Sequence, residues 1–142
     1  MRMLKVVDAI YRLISRWRYP VSMPEEVLDA LGIDDFSESL GFEELMESLT
    51  NSHYKSKNLM RFMPREKAES YFFSAARKER FRHASLYSYY LSDSWVEFVL
   101  YFDRESRLRR IYLQHKDLLQ EEGVEIALSQ EVFAKVEVKP GV

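Results

Sequence analysis

The stretch from Trp95 to Lys116 reads WVEFVLYFD, then RES, then RLRRIYLQHK, and it constrains the fold more than any other part of the chain. In its first arm Val96, Phe98, Leu100 and Phe102 fall on one side, and Trp95, Glu97, Val99 and Tyr101 on the other. A period of two in β-branched and aromatic residues is the pattern of a strand with one fully buried face. Asp103-Arg104-Glu105-Ser106 is short and polar, and Asp and Ser side chains hydrogen-bond their own backbone in turns. The second arm places Ile111 and Leu113 on one face and Leu108 and Tyr112 on the other. The expectation is an antiparallel hairpin with a dry face and a wet one.

Around it the chain alternates helical and extended patterns. Leu4 to Trp17 reads as an amphipathic helix, with Arg12, Arg16 and Arg18 between its apolar residues, and Pro20 ends it. Ser22 is the expected cap of a second helix, with Glu25 as capping-box partner, Val27, Leu28 and Leu31 as its stripe and Gly32 as its left-handed stop. A third helix is expected over Ser39 to Leu49, with Phe42, Leu45, Met46 and Leu49 inward, followed by a loop from Asn51 to Asn58. Met63-Pro64-Arg65-Glu66 starts another helix, since proline suits a first turn, and Ala68, Tyr71, Phe72 and Ala75 carry it towards Lys78. Arg77 to His83 reads as a basic connector, and Ala84 to Leu91 as a Tyr-rich strand. After Lys116 the pattern gives a helical turn over Asp117 to Glu122, a stop at Gly123, a short strand over Val124 to Leu128 and a last strand over Val132 to Val138.

No repeat, low-complexity tract or linker divides the 142 residues, a length that builds a core without staples. The expected fold is therefore α+β, with N-terminal helices packed on a C-terminal antiparallel sheet of three to five strands. Residues 1–142 are read as one domain: a helical region with acidic and basic stretches over 1–60, then a helix plus sheet over 61–142. Cys is absent, which excludes disulfides and thiolate chemistry and suits a reducing compartment or a periplasmic chain without bridges. No apolar run reaches the roughly 18 residues of a membrane span, and the N-terminus makes a poor signal peptide, so the expected location is cytoplasmic.

Charge is segregated. Nine acids and no Lys or Arg lie between Pro20 and Tyr54, giving that block −9 and the rest +7 in a chain of net −2. Three readings fit: a solvated helical face, a surface that steers a basic partner, or helices docked on the basic stretch Arg77 to Arg82. Three helices ahead of a hairpin invite comparison with a winged helix. Its recognition helix would be FEELMESL, whose three glutamates would repel phosphates, so nucleic-acid binding is excluded.

Catalytic signals are poor. Four glycines leave little room for a phosphate loop, and His53, His83 and His115 lack ligand spacing, so neither cofactor nor metal is expected. Ser92 or Ser94 with His115 and Asp93 is a triad that nearly any chain would permit. Glu97 on the wet face of its strand is expected to pair across the hairpin with Arg107 or Arg109.

The run from Met63 to Lys116 resembles the small α+β domains of the SmpA/OmlA and β-lactamase-inhibitor-protein type. The residues that carry the resemblance are Met63 to Glu69, Trp95, Phe102-Asp103, Arg107-Leu108 and Ile111. It covers about a third of the chain, without the lipobox cysteine or the usual turn glycine. What it implies is a non-catalytic domain with a three-stranded antiparallel sheet that presents a concave surface to another protein.

The expected function is a non-enzymatic protein-binding module, of inhibitor or immunity type. Glu43, Glu44 and Glu47 would supply an acidic field for a basic partner protein, and Tyr87, Tyr89, Tyr90 and Trp95 the aromatic anchors. A self-associating adaptor or chaperone, dimeric through the aromatic face, is the competing reading, and a small enzyme of unfamiliar type the third.

Overall fold

In the computed structural model, which describes residues 24–33, 41–91, 94–115, 118 and 122–133, the central hairpin forms. Its strands, β3 (Trp95–Phe102) and β4 (Leu108–Gln114), place Phe98 opposite Leu113 and Leu100 opposite Ile111, all buried. Asp103 makes the turn as its side-chain chemistry suggests. One carboxylate oxygen accepts the amides of Glu105 and Arg107, each at 3.0 Å, while the Asp103 amide donates to the Arg107 carbonyl. Leu108 departs from the expectation. Pairing steps from Tyr101 opposite Arg110 to Phe102 opposite Leu108, so Arg109 is a bulge residue and Leu108 turns into the core.

Three further strands extend the hairpin into a five-stranded antiparallel meander, ordered β1-β2-β3-β4-β5. β2 is Ala84–Tyr90, as its Tyr-rich pattern requires, and β5 is the short Val124–Ile126. β1, Arg77–Arg80, corrects the sequence reading, which made this stretch a connector. It pairs antiparallel with β2 as an edge strand, and a row of charged side chains is how natural sheets blunt an edge. The preceding helix is correspondingly shorter. Ala68, Phe72 and Ala75 are all buried, but past Ser70 the chain continues in tight turns, with Phe72 bonded to Glu69 and Ala75 to Phe72. A helical period of burial therefore continues where the helix does not.

Among the described residues the helices are α1 (Glu25–Leu31), α2 (Phe42–Thr50) and α3 (Arg65–Ser70). Gly32 ends α1 in the left-handed region, at φ 80°, as read from sequence. The residue before α1 is Pro24; the expected cap, Ser22, lies outside the described residues. α2 begins three residues later than expected, where the Glu44 carboxylate accepts the Gly41 amide at 3.1 Å. Val27, Leu28 and Leu31 of α1, Leu45 and Leu49 of α2 and Ala68 of α3 join one core with Tyr87, Tyr89, Phe98, Leu100, Ile111 and Leu113 of the sheet. The result is an α+β architecture of two layers, helices on one sheet face, in the chain order expected.

Residues 127–133 form a strap beside the loop that follows α2. Ser56 donates to Ala127, Ser129 to Leu59 and Phe133 to Arg61 through the backbone, and Val132 makes an isolated parallel bridge with Arg61. Only the start of the last strand expected over Val132 to Val138 is described. The N-terminal helix and most of the Asp117 to Glu122 turn also lie outside the described residues. Among the described residues no helix is long and apolar enough to cross a membrane.

Candidate functional site

The residues expected to form one binding surface lie on two sides of the sheet. On α2, Leu45 and Leu49 point into the core while Glu43, Glu44 and Glu47 are exposed. None of the three closes an ion pair with a described residue, although Glu44 caps its own helix. Nor, among the described residues, do the acidic helices dock on the basic stretch Arg77 to Arg82 through ion pairs. Among the described residues, Arg77 pairs with Glu79, and Arg80 with Glu69.

Tyr87 and Tyr89 point toward the helices and are core residues, 6% and 3% exposed. Phe72 stacks on Tyr87 at 5.1 Å, and Tyr89 meets Phe98 edge-on at 5.9 Å. The Tyr89 hydroxyl is buried without a hydrogen-bond partner among the described residues, and burial, which nearby Ser74 only partly offsets, pushes its ionisation far up. Tyr90 and Trp95 pair on the other face of the sheet, their rings stacked at 6.0 Å. That second face also carries Tyr101, 38% exposed, and Tyr112, which meet edge-on at 5.7 Å, with Arg110 donating to the Tyr112 hydroxyl. Strand alternation already put Trp95 and Tyr101 on one side. For the Tyr-rich β2 it could not give which side the helices would cover.

Glu97 shares this second face. Its neighbours are Gln114 on β4 and Ser88 on β2, whose hydroxyl donates to it at 3.4 Å; the expected pairing with Arg107 or Arg109 does not occur. Those arginines sit at the turn, and Glu97 sits near the open end. Partial burial raises its carboxyl above the ordinary carboxylate range, Glu79 adding to the effect and Ser88 and Arg77 opposing it. His115 stacks on Phe42, ring centroids 3.7 Å apart, and so ties the end of β4 to the start of α2. Ser94 is nearly buried, while Ser92 and Asp93 lie outside the described residues. Among the described residues no group of three or more His, Asp or Glu could hold a metal ion.

The densest polar cluster surrounds Arg65, only 7% exposed. Its guanidinium donates to Glu69 at 3.0 Å, to the carbonyls of Arg82, Phe81 and Ala84 at 2.7, 2.7 and 3.1 Å, and to the Ser85 hydroxyl at 3.1 Å, and it lies over the Phe102 ring. Glu69 also accepts from Arg80 and Ser85. Burial would raise the Glu69 carboxyl, but these three donors outweigh it and hold it below its ordinary value. With its donors committed to one turn, this cluster is a clamp rather than a reacting centre.

A cleft of about 580 Å³ opens between the loop at 55–61, the bulge on β4 and the strap. Lys55, Arg61 and Arg109 bring three cations to it against Glu125; Ala127, Leu128 and Val132 give an apolar wall, and Ser129 and Gln130 polar groups. Lys55 and Arg61 close no ion pair among the described residues. Arg109 is held in place, its guanidinium 4.5 Å above the Phe62 ring and 3.4 Å from Asp103. Phe62 stands at φ 71°, which bulky residues seldom adopt, and is retained there by the hydrogen bond its amide donates to the Leu108 carbonyl and by the Arg107 guanidinium donating to its own carbonyl. Sequence reading missed this cleft because its cations come from segments nearly 50 residues apart, Arg61 and Arg109.

Fold and surfaces together define an α+β protein built on an antiparallel meander. Compared with known proteins, the chain has no significant match to a family model, a curated protein or a solved structure.

Proposed function

We propose that the protein is a non-enzymatic protein-binding module, of inhibitor or immunity type, that meets a basic partner protein through the outward face of α2. The observation that supports this most is the row Glu43, Glu44 and Glu47, exposed and without an ion pair among the described residues, on a helix whose opposite side is anchored by Leu45 and Leu49. A rigid row of like charges costs stability and raises the association rate of an oppositely charged surface. The resemblance of Met63 to Lys116 to inhibitor-type α+β domains points the same way, and a cysteine-free chain suits the cytoplasm. Tyr90 and Trp95 lie across the sheet from α2, with Tyr90 only 5% exposed, so they are not part of this contact.

The test compares wild type with the E43K/E44K/E47K variant as baits at low and moderate salt. A basic protein retained by wild type at low salt, weakened by salt and lost from the variant supports the reading. Equal retention by both baits refutes it. Self-association through the second face is the alternative, favoured by the exposed Tyr101 packed against the half-buried Tyr112. It requires a dimeric mass in solution that Tyr101→Ser reduces to that of the monomer.

A further inference from the structure

We infer that the cleft between the 55–61 loop, the β4 bulge and the strap is a binding site for a small phosphorylated molecule. This is a separate region from the acidic helix, and the inference does not rest on the proposal made for that helix. Three observations converge. First, the lining cations Lys55, Arg61 and Arg109 outnumber the one lining acid, Glu125, by two, and Asp103 behind Arg109 offsets one of them, so the cleft is net positive and suits an anionic phosphate monoester. Second, a volume of about 580 Å³ lies in the range of small-molecule pockets and exceeds what a bare phosphate fills. Leu128 and Val132 supply an apolar wall for the remainder of such a ligand.

Third, Arg109 is positioned before any ligand arrives. A bulge re-aims its side chain, and the strained Phe62 sets an aromatic ring beneath its guanidinium. An arginine stacked on a ring keeps its planar fork of donors free at the rim, the geometry that grips phosphate oxygens two at a time. Its contact with Asp103, at 3.4 Å, is long and the arginine side chain is half exposed, so a phosphate can compete for it.

The experiment titrates the full chain with AMP, glucose 6-phosphate and inorganic phosphate, with adenosine as the uncharged control, following backbone amide shifts by NMR. Expected are saturable shifts confined to residues 55–62, 109 and 125–132. At least one organic phosphate should bind about tenfold tighter than adenosine, and Arg61→Gln and Arg109→Gln should each weaken binding about tenfold, the loss of one charge-assisted contact. Arg104→Gln, exposed in the hairpin turn, should leave binding unchanged. Arg61 is exposed and closes no ion pair among the described residues, so its variant remains informative even if Arg109→Gln disturbs the bulge. Equal affinity for AMP and adenosine, shifts centred elsewhere, or no shift with any probe at about 10 mM would overturn the inference, that concentration marking the weak end of useful binding. So would a short single-stranded oligonucleotide that binds far tighter than AMP and is weakened equally by Arg104→Gln.

Discussion

Replacing Arg65 with alanine should lower the unfolding free energy by about 3 kcal/mol, a large share of the roughly 5–15 kcal/mol a domain possesses. The magnitude follows from what is left behind. The Ala84 carbonyl keeps the Phe81 amide at 2.7 Å, and Glu69 keeps Arg80 and Ser85, so neither is orphaned. The Phe81 and Arg82 carbonyls lose their guanidinium donors, at about 1–3 kcal/mol for a stranded group that water cannot fully reach. Loss of the cation over Phe102 adds about 0.5–1 kcal/mol. Because residues 81–83 are exposed, water recovers part of the deficit, which sets the expectation at the low end of the range for a broken buried pair. Urea unfolding followed by far-UV circular dichroism reads it directly, and faster amide exchange in β1 should accompany it. Arg80→Ala is the control: its side chain is 63% exposed, and its pairing with the same Glu69 should be worth under about 1 kcal/mol. A loss from Arg65→Ala below about 1 kcal/mol, or no greater than that from Arg80→Ala, would refute the clamp.

Gly123→Ala should cost well over about 2 kcal/mol, since a Cβ at φ 89° would stand 2.2 Å from the Leu113 carbonyl oxygen. Gly32→Ala, at φ 80° but with 3.4 Å to its nearest neighbour, should lose only the left-handed penalty of about 1–2 kcal/mol by the same thermal or urea assay. Burial raises the Tyr54 hydroxyl from 10.0 to about 12, the Ser56 contact partly opposing, so the folded state holds that proton more tightly than the unfolded chain. The resulting stability is complete below pH 10 and falls by about 1.4 kcal/mol per pH unit between pH 10 and about 12. Tyr54→Phe should flatten that alkaline decline in part, since the buried Tyr87 and Tyr89, whose hydroxyls burial also raises, contribute in the same direction. Glu43→Gln with Glu47→Gln should leave stability unchanged or raise it by up to about 0.5 kcal/mol in thermal unfolding, whereas Glu44→Gln weakens the contact with the Gly41 amide.

Local periodicity carried the hairpin, β2, the α1 stop at Gly32 and the core stripe of α2 into the sequence reading, because each is settled within a few residues. Two errors share one cause. Ala68, Phe72 and Ala75 keep a helical period of burial through turns, and Leu108 changes face at a bulge, so in both places tertiary packing overrides the local period. The charged β1 is invisible for a related reason: an edge strand is defined by its neighbour, and Arg77–Arg80 carries no apolar alternation. For the candidate sites the limit is stronger. Alternation separates Tyr89 from Tyr90, yet only the helical layer decides that Tyr87 and Tyr89 become core. The cleft depends on a parallel bridge between Arg61 and Val132, a pairing that no local pattern encodes.

The segregated charge can now be weighed against internal pairing. Among the described residues a single ion pair joins the acidic block to the basic remainder, Lys57 to Asp29 at 3.3 Å, with both side chains more than half exposed. A pair of that kind is worth about 0–1 kcal/mol and cannot be what retains six acids on α1 and α2. The basic residues show the same economy: Arg65 and Arg80 are occupied by Glu69, which lies outside the acidic block, while Lys55 and Arg61 border the cleft. If the acids served folding, neutralising Glu43 and Glu47 would destabilise the chain; if they are tolerated for an external partner, it would not. Stability and association therefore respond in different directions to the same two substitutions, and that divergence separates a steering surface from a structural one.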